Sequence, residues 1–139
     1  MNLLSKLAML GVVIFGLILV SGCGARPKIT YYLIYPAAGQ SRVSESEEDQ
    51  VRALLDSVAV AYRMPKTKPS DEGIIRYYQP TADLTVAFYA KRENGRMAVH
   101  LKPLSPGFER REYYQEFRQS LADTLSRGFP GRVAVMTEP

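Results

Sequence analysis

Cys23 is the only thiol and His100 the only imidazole among 139 residues. One cysteine cannot close an intramolecular disulfide or build a cysteine metal cluster. One histidine rules out a two-histidine zinc site. A catalytic histidine needs a nucleophile and an orienting acid in reach, and no Gly-x-Ser-x-Gly motif occurs. The strand neighbours of His100 predict a solvated position opposite Tyr89, on the polar face of its strand. Glu45, Glu47, Glu48 and Asp49 form an acidic cluster without the spacing or glycine of a calcium loop; they read as the first turn of a helix. Asp71 and Glu72 are adjacent, which does not aim them at one glycosidic bond. With no P-loop and no dinucleotide fingerprint, the chain is expected to use no metal and no small-molecule cofactor, and not to be an enzyme. A small hydrolase built on His100 is the most distant reading. Eighteen Lys and Arg against 14 Asp and Glu leave a net charge of +4, too modest to argue for nucleic acid.

Nine tyrosines are the other chemically notable group. Adjacent tyrosines on a strand point to opposite faces, so one of Tyr31 and Tyr32, and one of Tyr77 and Tyr78, should show away from any helices. Exposed aromatics favour interfaces. Tyr32, Tyr77, Tyr89 and His100 are the expected partner surface; the plainer reading is that tyrosine covers a half-wet sheet face.

The cysteine has a context. Lys6 precedes an uncharged, mostly apolar run from Leu7 to Gly22. That is the pattern of a secretory signal, and 16 residues fall short of the roughly 20 that a spanning helix needs. Val20-Ser21-Gly22-Cys23 resembles the lipobox of bacterial lipoproteins. The resemblance implies alkylation of the Cys23 thiol by a diacylglyceryl group, cleavage between Gly22 and Cys23, and acylation of the new amino terminus. Each buried CH₂ of such chains contributes roughly 0.8 kcal/mol. In these lipoproteins the residue after the cysteine influences sorting; Gly24 rather than Asp implies the outer membrane, facing the periplasm, more than the inner. The expected organisation is a signal over 1–22, a lipidated tether over 23–28 and one α+β domain over 29–139. The expected partners are membrane lipid, through acylated Cys23, and another envelope protein.

The elements that must carry these residues follow from periodicity. Ile29 to Tyr35 is apolar on both faces, as in a strand near the centre of a sheet. Ser44-Glu45-Ser46-Glu47 is a capping box, followed by Val51, Leu54, Leu55, Val58 and Tyr62 at helical spacing; the helix is predicted from Glu45 to Arg63. Ile74 to Tyr78 is a short strand. Leu84, Val86, Phe88 and Ala90 alternate with polar and small residues. Asn94-Gly95 then predicts a two-residue hairpin turn that pairs Ala90 with Val99, Phe88 with Leu101, Tyr89 with His100 and Glu93 with Arg96. A second helix is predicted from Glu109 to Arg127 on the stripe Tyr114, Phe117, Leu121 and Leu125, stopped by Gly128. Val133 to Met136 is a last strand.

The order β-α-β-β-β-α-β predicts two helices on one face of a mostly antiparallel sheet of about five strands. It resembles a ferredoxin-like arrangement with one added strand, a likeness of pattern that implies nothing about function. If both helices are simple crossovers, the basic residues Arg26, Lys28, Lys66, Lys68, Lys91, Arg92 and Arg96 gather at the tether end and the acidic residues at the far end. Gly24 to Lys28 spans at most about 17 Å, so that basic end is expected to rest on anionic headgroups. The expected role is a binding or assembly accessory, or alternatively a structural subunit that stabilises a larger envelope complex.

Overall fold

The computed structural model describes residues 27–66, 74–78, 86–105 and 107–138. The elements are β1 (Thr30–Ile34), α1 (Glu45–Ala61), β2 (Ile75–Tyr78), β3 (Val86–Glu93), β4 (Arg96–Pro103), a 3-10 turn (Phe108–Arg110), α2 (Glu112–Gly128) and β5 (Val133–Thr137). The strands form one sheet in the order β2-β3-β4-β1-β5, antiparallel throughout. Both helices pack on one face, giving the α+β class and the element order that periodicity implied.

Local chemistry sets the boundaries. The Ser44 side chain accepts from the Glu47 amide at 3.2 Å, and the Ser44 amide donates to Glu47 Oε2 at 3.0 Å. This closes the capping box and starts α1. The β3–β4 turn has positive φ at both Asn94 (50°) and Gly95 (77°), the signature of a type I′ hairpin. All four expected cross-strand pairs are present. The second helix starts later than predicted. Gly107 adopts φ of 79° and Phe108–Arg110 winds as a separate 3-10 turn, so α2 begins at Glu112.

The face of each strand follows from the ladder. Thr30, Tyr32 and Ile34 of β1 share a face with Met97, Val99 and Leu101 of β4, with Ala90 of β3 and with Tyr77 of β2. All of these are buried. They meet Val51, Leu55 and Val58 of α1 and Tyr114, Phe117, Leu121 and Leu125 of α2 in one core. The Tyr32 hydroxyl donates to the Arg118 carbonyl at 3.0 Å, and the Tyr77 hydroxyl donates to Asp56. Burial pushes both phenols above their ordinary range; for Tyr77 the Asp56 carboxylate adds to the effect.

One directional expectation is overturned. A simple crossover would make β1 and β4 parallel, but they are antiparallel. After α1 the chain reverses once more: Lys66 bridges antiparallel to Tyr77, and Tyr78 donates its amide to Pro65 at 3.0 Å. That extra reversal inverts every later element. The β3–β4 turn therefore lies at the end of the sheet away from Thr30, where Val43 donates to Gly95 at 2.7 Å.

Candidate functional site

No described helix covers the second sheet face, and the register arranges its residue positions in transverse rows. Met136, Tyr31, His100, Tyr89 and Arg76 form one row across β5, β1, β4, β3 and β2. Ala134, Leu33, Ala98 and Lys91 form the next, toward the hairpin turn. Alternation along each strand puts Tyr35, Tyr78, Glu93, Arg96 and Lys102 on the same face. The face thus mixes tyrosines and a methionine with long cationic side chains.

At its centre His100 and Tyr31 meet edge to face, ring centroids 4.7 Å apart. The Tyr31 hydroxyl donates to Glu138 Oε1 at 2.7 Å. His100 Nε2 lies 3.9 Å from Glu93 Oε1. His100 is 7% exposed, so the solvated histidine expected from its polar strand neighbours is instead buried. It stands on the central strand, third of five, against the Tyr31 ring. Burial lowers its pKa below the ordinary 6.5, with Lys91 acting in the same direction and Glu93 and Glu138 opposing. The ring is therefore neutral at neutral pH. Above the hairpin end, the Arg96 guanidinium lies over the Tyr35 ring, 5.8 Å from its centroid, a cation–π contact.

The expected partner surface divides. Tyr89 and His100 stand opposite each other in the ladder, as predicted. Tyr32 and Tyr77 are corrections: they are 0% and 1% exposed on the helix side. Their neighbours Tyr31 and Tyr78 occupy the open face instead. Every residue of Ile29 to Tyr35 apart from Thr30 is apolar or aromatic, so alternation alone leaves the phase of the strand undetermined. The missed signal was the hairpin register. It puts Val99 and Leu101 on the core face, and β1 takes its phase from them.

The basic residues divide as well. Arg26 and Lys68 lie outside the described residues, as do Gly22 and Cys23. Lys28 precedes β1 and is exposed. Lys66 lies on the outer edge of β2, 3.3 Å from Asp56. Lys91 is on the open face, further from Thr30. Arg92 and Arg96 flank the hairpin turn at the opposite end from Lys28. Arg92 faces the helices, ion-paired with Glu48 and donating to the Val43 carbonyl at 3.0 Å. Arg132 pairs with Glu47 at 2.7 Å. Among the described residues the expected separation into a basic tether end and an acidic far end is therefore not seen: the acidic first turn of α1 meets Arg92 and Arg132 in ion pairs. The extra reversal after α1 is the cause.

Comparison with protein-family models and with curated proteins returns no match. The functional reading rests on the chain's own residues.

Proposed function

We propose that this chain is a lipid-anchored envelope lipoprotein whose α+β domain binds or assembles with another envelope protein and performs no catalysis. The observation that carries the reading is Val20-Ser21-Gly22-Cys23 at the end of an uncharged run, with five residues between Cys23 and Ile29. Acylated Cys23 would hold the domain within about 17 Å of the bilayer, on the periplasmic side of the outer membrane. The open sheet face supports a binding role, because tyrosine, methionine and arginine are the residue types that interfaces favour.

The test is metabolic labelling with a fatty-acid analogue, followed by membrane fractionation, on the full chain and on Cys23→Ser. The expected result is a labelled, outer-membrane protein that loses its label and gains apparent mass in the variant, because the signal stays attached. Equal labelling of both chains, or none of either, would sink the lipoprotein reading.

A second reading, a structural subunit of a larger assembly, is favoured by the β5 edge, which pairs with no described strand on its outer side and leaves Val135 and Met136 exposed.

A further inference from the structure

Within the strands and helices, charge divides by layer. Strand positions on the open face carry Arg76, Lys91, Arg96 and Lys102 against Glu93 and, just past β5, Glu138. The Glu138 carboxylate already accepts from the Tyr31 hydroxyl. The two helices on the other face carry eight carboxylates against three arginines. Arg132 and Arg92 offset two of those carboxylates by pairing with Glu47 and Glu48. The sheet face is thus the basic layer and the helices the acidic one.

The four cations are spread rather than gathered. Arg76, Lys91 and Lys102 are exposed, and Arg96 is half-buried with its guanidinium over Tyr35. Arg96 and Lys102 stand at opposite ends of β4, about 20 Å apart at the rise of a strand. Lys91 lies on β3 and Arg76 on β2 beside them. That spacing suits a plane of many separate anions better than a single phosphate or carboxylate. Tyr35, Tyr78 and Met136 on the same face are exposed, and tyrosine is a residue type enriched where membrane meets water.

We infer that the open sheet face lies against the anionic surface of the bilayer that holds Cys23, with the helices turned away. The inference rests on acylation of Cys23. Charge complementarity selects the face, and the tether selects the bilayer as its occupant. A sheet packs about 10 Å from what it faces, and five extended residues reach about 17 Å. The tether is therefore long enough to let the sheet lie flat and too short to let the domain leave the surface. Lys28, exposed just before β1, adds a cation at the point of entry. The contact expected at one end of the domain is moved to its side, where Lys91 and Arg96 still take part. A protein that binds the same face does so in competition with the headgroups.

The test uses the full chain, purified from membranes and reconstituted into vesicles of phosphatidylcholine, alone or with phosphatidylglycerol. A fluorophore is attached at Met136→Cys on the open face or at Val60→Cys on α1, both exposed positions. A lipid with a spin-labelled headgroup quenches whichever site lies near the surface. The expected result is strong quenching at 136 and weak quenching at 60 in the anionic vesicles. The difference should shrink at about 1 M salt, where the screening length falls to about 3 Å. Each cation near such a surface changes the ratio of apposed to detached domain by up to about fivefold. Lys91→Gln with Lys102→Gln should therefore lower that ratio by about tenfold or more. Arg110→Gln with Arg111→Gln, the same loss of charge just before α2, should leave it nearly unchanged. Equal quenching at both sites, the same pattern without phosphatidylglycerol, or equal effects of the two double variants overturns the inference. Quenching at neither site also overturns it and leaves the basic face to an acidic protein. Label stoichiometry reads the anchor separately: one fluorophore per chain with Cys23 acylated, two with its thiol free. Two labels overturn the lipoprotein reading and this inference with it, whereas one label without quenching overturns this inference alone.

Discussion

His100 is a neutral ring held inside a charged surface, and its environment has a thermodynamic signature. The unfolded chain binds its proton near pH 6.5, whereas the folded chain binds it lower, because burial disfavours the imidazolium. Above pH 6.5 neither state is protonated and the residue contributes nothing to the pH dependence. Below it the unfolded state takes up the proton first, so stability falls with pH, by at most about 1.4 kcal/mol per unit. The charges facing the ring set how far this extends: Glu93 and Glu138 shorten the window and Lys91 lengthens it. His100→Gln should flatten the urea-midpoint profile between pH 6.5 and 5; an unchanged slope would mean that the ring titrates normally in the fold. The tyrosines show what one residue's sequence context can and cannot disclose. That Tyr31 and Tyr32 part to opposite faces follows from strand geometry. Which one enters the core depends on the partner strand, and β1 carries too little polar residue to report it.

At the scale of elements the hairpin was the most legible part, because turn chemistry and side-chain alternation specify the same register. Gly95 carries more than the turn. Its φ of 77° disfavours any Cβ, and a Cβ there would lie 2.6 Å from the Ser41 carbonyl oxygen. Gly95→Ala should therefore destabilise the domain by about 1–2 kcal/mol from the left-handed backbone alone, and by more once the 41–43 segment is displaced. Chemical denaturation measures this, and a loss below half of that range would show that the segment moves aside freely. The start of α2 was less legible. Its apolar stripe fixed the buried face, and Tyr114, Phe117, Leu121 and Leu125 are all in the core. The stripe does not mark where winding begins, and the N-cap position, Arg111, makes no side-chain capping bond. The 3-10 turn takes up the residues that periodicity assigned to the helix.

For the whole molecule, strand direction was the illegible quantity. Periodicity counts elements but does not distinguish a crossover from a crossover followed by one reversal, and the short segment around Lys66 made that difference. The result is an end where four parts of the chain converge: α1 begins there, the β3–β4 turn sits against it, and α2 ends where β5 starts. Gln50 donates to the Gly128 carbonyl at 3.2 Å, Arg92 pairs with Glu48, and Glu47 serves both its own helix and Arg132. Those bonds hold the Glu47 carboxyl below its usual pKa, so its contribution is complete above pH 4.5 and is lost as pH falls through the lowered value. Glu47→Gln can retain the capping box while losing the ion pair, and Glu47→Ala loses both. The expected order of thermal stability is native, then Gln, then Ala, with Ala down by about 1 kcal/mol. Equal losses in the two variants would assign the whole effect to charge.

The place where the chain enters the sheet also has a mechanical meaning. Residues 27–29 lead directly into β1, which is hydrogen-bonded to β4 on one side and β5 on the other. If Cys23 carries the proposed lipid anchor and the domain holds a partner, a pull toward the membrane on the segment before Thr30 would run along the axis of β1. Both ladders are then loaded in shear, all their bonds sharing the force together, rather than being peeled one at a time as at an edge strand. A domain hung in that way from an interior strand would be suited to bearing tension between a bilayer and whatever it holds.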